Sequence, residues 1–177
     1  MSQLKVNSIV PAGGLPAGAT AGGAIQVVQA VKTAAETITI SGGGEQAIAG
    51  LSVTITPRST SSKIFIYYNV QQGGRNSDYA GKYLKLYRGA TAIHLGDSAG
   101  SRTRCTSLSS TNEYGAVSYC AMFIDSPATT SATTYSVKVV SIDSASVNIN
   151  ANNYNEDTDS SYRGRCPSSI IAMEVSG

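Results

Sequence analysis

Alternation of apolar and polar side chains is the clearest pattern along this chain. In the segment LSVTITP (51–57), the residues Leu51, Val53 and Ile55 are apolar, and those between them are Ser or Thr. A period of two is typical of a strand with one buried and one solvated face. The segment KIFIYYNV (63–70) is β-branched and aromatic almost throughout, which predicts a central strand buried on both faces.

Other short segments have a similar composition and are separated by stretches rich in Gly, Pro, Ser, Asn and Asp. They are 25–31, 37–40, 82–89, 91–98, 104–108, 115–125, 134–143, 146–152 and 169–175. None has the 3.6-residue periodicity of an amphipathic helix. We therefore predict one all-β domain over residues 25–177, an antiparallel β-sandwich with the strand arrangement of a jelly roll.

The first 24 residues have a different character from this domain. Their second half, PAGGLPAGATAGGA, is rich in Gly and Pro, which interrupt regular structure. Fully stretched, 24 residues would reach about 80 Å. We predict an extended N-terminal arm and a flexible neck that anchor the domain to a partner. The apolar residues expected to contact that partner are Leu4, Val6, Ile9, Val10 and Leu15.

Simple energetics favour several arms acting together. Burying four apolar side chains of the arm stabilises it by at most roughly 6–10 kcal/mol. Ordering about ten backbone residues costs about 10–20 kcal/mol. One arm would therefore bind weakly, whereas three arms linked in one assembly would bind much more tightly. We therefore expect a homo-oligomer, and the family resemblance described below implies a homotrimer.

Composition and charge narrow the possible partners. Charged residues make up 14% of the chain, against about 25% in a typical soluble domain. The net charge of +2 gives no basic footprint for nucleic acid. No apolar run approaches the length of a membrane span, and the Gly- and Pro-interrupted N-terminus does not resemble a signal peptide. We therefore expect synthesis in a cytoplasm, and neither nucleic acid nor membrane as a partner.

The three cysteines give no indication of a metal site. Cys105, Cys120 and Cys166 are odd in number and lack metal-ligand spacing. We expect reduced thiols, and a Cys105–Cys120 bridge between neighbouring strands is the alternative.

The sequence also gives no clear indication of a catalytic site. His94 is the sole histidine, and Asp97 and Ser98 follow it closely. No GxSxG-type turn is nearby, so a Ser-His-Asp triad is disfavoured. We expect His94 to face solvent in the middle of a strand.

The acidic loop NEDTDSS (155–161) is the remaining candidate for chemistry. Glu156, Asp157 and Asp159 lie in a polar setting that would not raise a carboxyl pKa for acid catalysis. Asn155, Asp157 and Asp159 alternate as oxygen ligands could, but the glycine and distant Glu of an EF-hand loop are missing. We predict no metal, no cofactor and no enzymatic activity.

Arginine and tyrosine side chains are the candidates for surface contacts. Arg is favoured at protein interfaces, and Tyr can stack on sugars or pack at interfaces. The ten tyrosines are unusually many beside two Phe and no Trp. Ordinary surface charge and strand packing remain open as alternative explanations. The candidate contact residues are Arg102, Arg104, Arg163, Arg165, Tyr154 and Tyr162.

Several segments, taken in their order and spacing, resemble one family. They are LKVNSIVPAGGLPAGA, LYRGATAI followed by GDSAGSR, FIDSPATTSATTY and the final IIAMEVSG. Together they are similar to small structural proteins of tailed bacteriophages, notably those infecting cyanobacteria and other aquatic bacteria. The resemblance implies an N-terminal segment docked on the particle and a trimeric jelly roll exposed outside it. Members serve as capsid decoration (cement) proteins, tail fibres or other virion proteins.

The expected function is therefore that of a non-enzymatic virion protein assembled in the host cytoplasm. The first hypothesis is a trimeric cement protein whose arms clamp the major capsid protein, since no repeat or heptad supplies a fibre shaft. A tail-fibre or adhesin head, attached to a tail component and binding host-surface glycan, is the alternative. A hydrolase is the third hypothesis and would require activity on polysaccharides.

Overall fold

The computed structural model describes residues 23–74, 82–109, 116–152, 161 and 164–176. Within these ranges the chain forms strands and turns, and it contains no helix long and apolar enough to cross a membrane. The strands are β1 (Ala24–Lys32), β2 (Glu36–Ile40), β3 (Gly44–Ile55), β4 (Lys63–Gly74), β5 (Lys82–Arg88), β6 (Thr91–Ile93), β7 (Ser107–Ser109), β8 (Ala116–Asp125), β9 (Thr133–Ser141), β10 (Ala145–Ile149) and β11 (Ser168–Val175).

The strands form two antiparallel sheets. In the larger sheet, β4 is central: β8 pairs along one edge, and β11 and then β10 pair along the other. β1 and β2 add to β11 and β10 respectively. The smaller sheet has the order β3-β9-β5-β6, and β7 also pairs with β5.

The connections between the sheets are those of a jelly roll. Four strands of the larger sheet lie in the order β1-β11-β4-β8, and they face the smaller sheet β3-β9-β5-β6. The chain crosses between the sheets after β2, β3, β4, β7, β8 and β9, so most consecutive strands lie in opposite layers. The jelly-roll sandwich predicted from the alternating pattern is confirmed.

The core lies between the sheets and is formed by every second residue of each strand. In β4, Ile64, Ile66, Tyr68 and Val70 are fully buried, and each such side chain stabilises the fold by about 1.5–3 kcal/mol. The Tyr68 hydroxyl lies 2.7 Å from Ser107 Oγ. The opposing residues from the smaller sheet are Leu51, Val53, Ile55, Leu84, Leu86, Tyr135, Val137 and Val139.

The central strand, β4, is less buried on one face than the sequence predicts. The residues between the buried positions of β4, including Phe65 and Tyr67, are only half-buried and point away from the core. The prediction that β4 is buried on both faces is therefore wrong for a single chain. β4 also continues through Gln71, Gln72 and Gly73 to Gly74, beyond the predicted end at Val70.

The observed bounds of two other strands, β3 and β6, differ from the predicted ones because of turn geometry. β3 begins at Gly44, not at the predicted Leu51, because a glycine turn precedes it. Gly43 has φ +83°, and a Cβ there would lie 2.5 Å from the Ile142 carbonyl oxygen, so a side chain has no room. β6 ends at Ile93 because the next residue, His94, adopts φ 55° and leaves the extended conformation.

Hydrogen bonds around Asn150 connect four parts of the larger sheet. Asn150 is buried and adopts φ 63°, a left-handed conformation that Asn tolerates better than most residues. Its Nδ2 donates to the carbonyl oxygens of Lys32 at 2.7 Å and Ala34 at 3.1 Å. Ser168 Oγ donates to Asn150 Oδ1 at 2.5 Å and accepts from the Gln71 amide. These bonds join the β1–β2 connection and the strands β4, β10 and β11.

Candidate functional site

Many of the contact residues predicted from the sequence lie outside the described part of the chain. The proposed arm contacts and part of the loop between β10 and β11 belong to this group, so their roles stay predictions. The residues concerned are Leu4, Val6, Ile9, Val10, Leu15, Tyr154, Asn155, Glu156, Asp157, Asp159, Tyr162 and Arg163.

The remaining candidate arginines are separated between the two sheets. Arg102 and Arg104 are exposed in the loop between β6 and β7. Arg104 Nε donates to the Gly96 carbonyl at 2.7 Å, and Arg102 Nη1 donates to the Ala99 carbonyl at 3.3 Å. Arg165 instead forms an isolated bridge with Ala151, after β10 of the larger sheet. The described candidate arginines therefore belong to loops that adjoin different sheets.

His94 is exposed, as expected, but its place in the chain differs from the prediction. It follows β6 in a left-handed turn instead of lying within a strand. Its ring stacks on Phe123, with centroids 4.8 Å apart and an interplanar angle of 28°. None of the described hydrogen bonds joins His94 to Asp97 or Ser98, so these three residues do not form a triad in this structure.

The three cysteines are free thiols in the structure. The alternative of a Cys105–Cys120 bridge is therefore wrong for this structure. Cys105 is half-buried, and burial raises the pKa of its thiol. Cys120 is exposed on β8, and Cys166 is exposed before β11. Among the described residues, no group of three or more His, Cys, Asp or Glu side chains is placed to hold a metal ion.

A buried carboxylate on β11 has a structural explanation. Glu174 is inaccessible to solvent. Its oxygens accept from Gln26 Nε2 at 2.6 Å and from the Arg58 amide at 2.7 Å. Burial alone would raise the pKa of Glu174, but hydrogen bonds from Ser62, Gln26 and the Arg58 amide outweigh burial and hold that pKa below its usual range. A carboxyl with a lowered pKa is unsuited to act as a general acid near neutral pH.

A second buried carboxylate connects both sheets. Asp125 accepts from Arg88 Nη1 at 2.9 and 3.0 Å and from the Tyr135 hydroxyl at 2.6 Å. Burial, together with the hydrogen bond to Asp125, raises the pKa of Tyr135 above its ordinary value. Every oxygen of Asp125 has a partner, so the group links β5, β8 and β9.

An open pocket lies beside this link. It has a volume of about 380 Å³, and Arg88, whose side chain is 35% exposed, is one of its lining residues. The other lining residues are Gly89, Pro127, Thr129, Ala132, Thr133 and Thr134.

The outer face of the smaller sheet is polar. Lys85 Nζ lies 2.6 Å from Glu45 Oε1, and the Tyr87 hydroxyl donates to Glu45 Oε2. Lys138 Nζ lies 4.0 Å from the centre of the Tyr87 ring. Beside this cluster the hydroxyls of Thr54 and Thr134 are 2.8 Å apart. Such a surface is well suited to contact water.

The outer face of the larger sheet has the opposite character. One row of side chains across β8, β4, β11 and β1 consists of Ile124, Phe65, Met173 and Val27, all apolar. Ile124 is 59% exposed and Val27 is 55% exposed. Four apolar residues in register on a solvent-facing sheet are unusual for an isolated domain, because exposed apolar side chains normally occur singly.

The next row extends this surface along the strands. Met122, Tyr67 and Ile171 lie side by side on β8, β4 and β11, and Met122 is 64% exposed. Together the two rows form what we call the apolar face. Its members are Val27, Phe65, Tyr67, Met122, Ile124, Ile171 and Met173.

Polar residues bound the apolar face on one side. Asn69 Oδ1 accepts from Ser118 Oγ at 2.6 Å, and Gln71 Nε2 donates to Ser118 Oγ at 2.7 Å. Farther along the sheet, Thr37 Oγ1 donates to Asn148 Oδ1 at 2.9 Å. The polar groups here satisfy one another, whereas the apolar face has no protein covering it among the described residues.

Sequence reasoning did not identify this surface as a site, although a signal for it was present. Segments 63–68 and 170–175 are apolar at both odd and even positions, a pattern found in strands that are covered on both sides. In residues 63–70 this pattern predicts burial on both faces within one domain. The structure shows that the domain covers only one side.

Comparisons with known proteins do not place the chain in a family. No protein-family model and no curated protein matches it. Among solved structures it is similar to a chain of one described as "Structure of infectious bursal disease virus Gx strain", with 13% identity and a TM-score of 0.37. The match covers 94% of this chain but 44% of that chain. A TM-score this low does not establish a shared fold.

Proposed function

We propose that this chain is a non-enzymatic structural protein of a virus particle that acts by binding other protein subunits. The observation that carries the proposal is the apolar face, whose side chains are in register across neighbouring strands; Val27, Met122 and Ile124 are exposed, and the other members are half-buried. A large exposed apolar patch on a soluble domain is typical of a protein–protein interface.

The buried polar groups support a structural role. The two buried carboxylates, Glu174 and Asp125, have their hydrogen-bond partners within the fold, where they link strands. An active site instead needs an acid, base or nucleophile that faces a substrate. In the described ranges these carboxylates serve to hold the sandwich together.

The sequence resemblance supports the more specific form of the proposal. A tailed-phage cement protein would use its N-terminal arm, with Leu4, Val6, Ile9 and Val10, to grip the major capsid protein. Ala24 already belongs to β1, so the arm ends just before the first strand of the larger sheet. The apolar face would then mediate contacts of the jelly roll with other subunits.

Add-back to particles tests this proposal. We would mix the purified full chain with virus particles stripped of it, and compare a variant lacking residues 1–22, which keeps β1 intact. The full chain should restore occupancy and the shortened chain should not. If neither chain adds back to capsid or tail, the virion role is wrong. If the shortened chain adds back equally well, the arm is not the anchor.

A glycan-binding head is the second candidate function, and the pocket beside Arg88 favours it. One arginine and three threonines are among the residues that line this open pocket, and side chains of these types can hydrogen-bond a sugar. Ala132→Trp would fill the pocket from an exposed position, and Ser52→Trp on the smaller sheet is the matched control. The tail-fibre alternative predicts glycan-array binding that Ala132→Trp abolishes and Ser52→Trp preserves. Absence of binding by the full chain would contradict it.

A further inference from the structure

We propose that the apolar face is where copies of this chain bind one another, so that the apolar faces meet at the centre of a homo-oligomer. The inference rests on the proposed function, because it names the partner of a surface that the proposed function assigns to protein contacts. The pattern of the strands, the charge of the surface and its size all favour this partner.

The strand pattern requires that the outer side of the larger sheet be covered. Phe65 and Tyr67 on β4 and Ile171 and Met173 on β11 are apolar side chains on the side away from the core. Full burial of an apolar side chain contributes about 1.5–3 kcal/mol, and a single copy gains only part of this here because these four side chains are half-buried. The outer face of the smaller sheet, with Glu45 and Lys85, is already suited to water.

The charge of the surface favours a second copy over a different protein. None of the seven residues of the apolar face is charged, and Lys63 lies at its corner with Nζ 2.8 Å from Ser126 Oγ. Discrimination among different partners commonly relies on complementary charges. An uncharged apolar surface is complementary to itself, because two copies bring no like charges together.

The apolar face and its polar border together have about the size of a small interface. Strands lie about 4.8 Å apart and each residue advances about 3.3 Å. Four strands over the length of Lys63–Asn69, a stretch that includes the polar border at Asn69, therefore present a flat area of about 440 Å². Protruding side chains make the accessible area larger than this, and a specific interface needs about 500 Å² from each partner. The polar residues Asn69 and Ser118 lie where the rim of the interface would be.

Sedimentation equilibrium of the full chain tests the proposal. The wild-type chain should be oligomeric at micromolar concentration, and Met122→Asp should raise the dissociation constant by about a hundredfold or more, because it places like charges in the contact. Met122 is 64% exposed, so the substitution leaves the core intact. Thr54→Asp, on the exposed outer face of the smaller sheet, is the matched control and should leave the oligomer unchanged.

Three results would overturn the proposal. They are a wild-type chain that is monomeric up to about 100 μM, a wild-type oligomer that Met122→Asp does not weaken, and an oligomer that dissociates when salt is raised. The last result would indicate charged contacts, which salt screens. A monomer that still adds back to particles would contradict self-association while supporting the proposed function, so the two failures are distinguishable.

Discussion

The side chain of Glu174, on β11, links its own strand by hydrogen bonds to two other parts of the chain. Its carboxylate accepts hydrogen bonds from β1, through Gln26, and from the connection between β3 and β4, through the Arg58 amide. Hydrogen bonds to a charged group typically contribute about 1.5–3 kcal/mol. The position illustrates how a buried charge can be tolerated when its hydrogen-bonding capacity is satisfied.

We predict that stability depends on pH through Glu174. Its folded-state pKa is lowered, so its contribution is complete above the unfolded value of about 4.3 and is lost as pH falls through the lower folded value. Glu174→Gln should lower the free energy of unfolding at pH 7 by about 1–3 kcal/mol. Urea denaturation at pH 7 and at pH 3 should show that the deficit shrinks in acid.

Asp97→Asn is the control for this prediction. Asp97 is exposed in the loop after β6, and its substitution should change the free energy of unfolding by less than about 0.5 kcal/mol. A Glu174→Gln variant as stable as wild type at pH 7 would contradict the role given to the carboxylate.

Asn150 combines a special backbone conformation with three side-chain hydrogen bonds. We predict that Asn150→Gly, which accepts the positive φ but removes the bonds, lowers the free energy of unfolding by about 2–4 kcal/mol. Asn150→Ala should lower it by about 1 kcal/mol more, because alanine is strained at this φ. Urea denaturation measures both, and a Gly variant equal to wild type would show that the bonds contribute nothing.

Among the elements, the sequence predicts well the strands that clear turn residues delimit. β5, β9 and β11 begin and end within two residues of the predicted segments, because β-forming residues fill each segment and turn residues flank it. β3 and β6 were misjudged because their bounds depend on backbone angles at Gly43 and His94, and those angles are set by tertiary contacts as well as by residue type.

The elements β5, β8 and β9 are joined by Arg88, Asp125 and Tyr135. We predict that Tyr135→Phe lowers the free energy of unfolding by about 1.5–2 kcal/mol and Asp125→Asn by about 2–3 kcal/mol. Because both changes act on the same charge-assisted hydrogen bond, the double variant should lose about 1 kcal/mol less than their sum. A double-mutant cycle by urea denaturation measures this coupling. Strictly additive losses would mean that the three groups do not act together.

At the scale of the whole molecule, the sequence predicts the fold better than the site. The jelly-roll sandwich followed from period-two patterns and turn residues. The apolar face could not be derived in the same way, because apolar residues on both sides of β4 are equally compatible with burial inside one domain and with burial between subunits. Only the strand order shows that no layer of the described chain covers Phe65, Tyr67 and Met173.

Cys120 offers a direct reporter for that surface. Its thiol is free and exposed on β8, in the row of residues next to Met122, opposite Asn69 of β4. A second copy bound to the apolar face would shield Cys120, and the shielding would disappear on dilution. Coverage by a segment of the same chain would shield it at every concentration.

The most direct measurement is therefore the rate at which a maleimide labels Cys120 in the full chain across a range of protein concentrations. Ser52→Cys, on the exposed outer face of the smaller sheet, serves as the internal comparison. We predict that Cys120 labelling slows at least about tenfold from nanomolar to micromolar protein, as mass action fills the interface, while labelling at position 52 stays constant. A Cys120 rate that does not change with concentration would contradict the account.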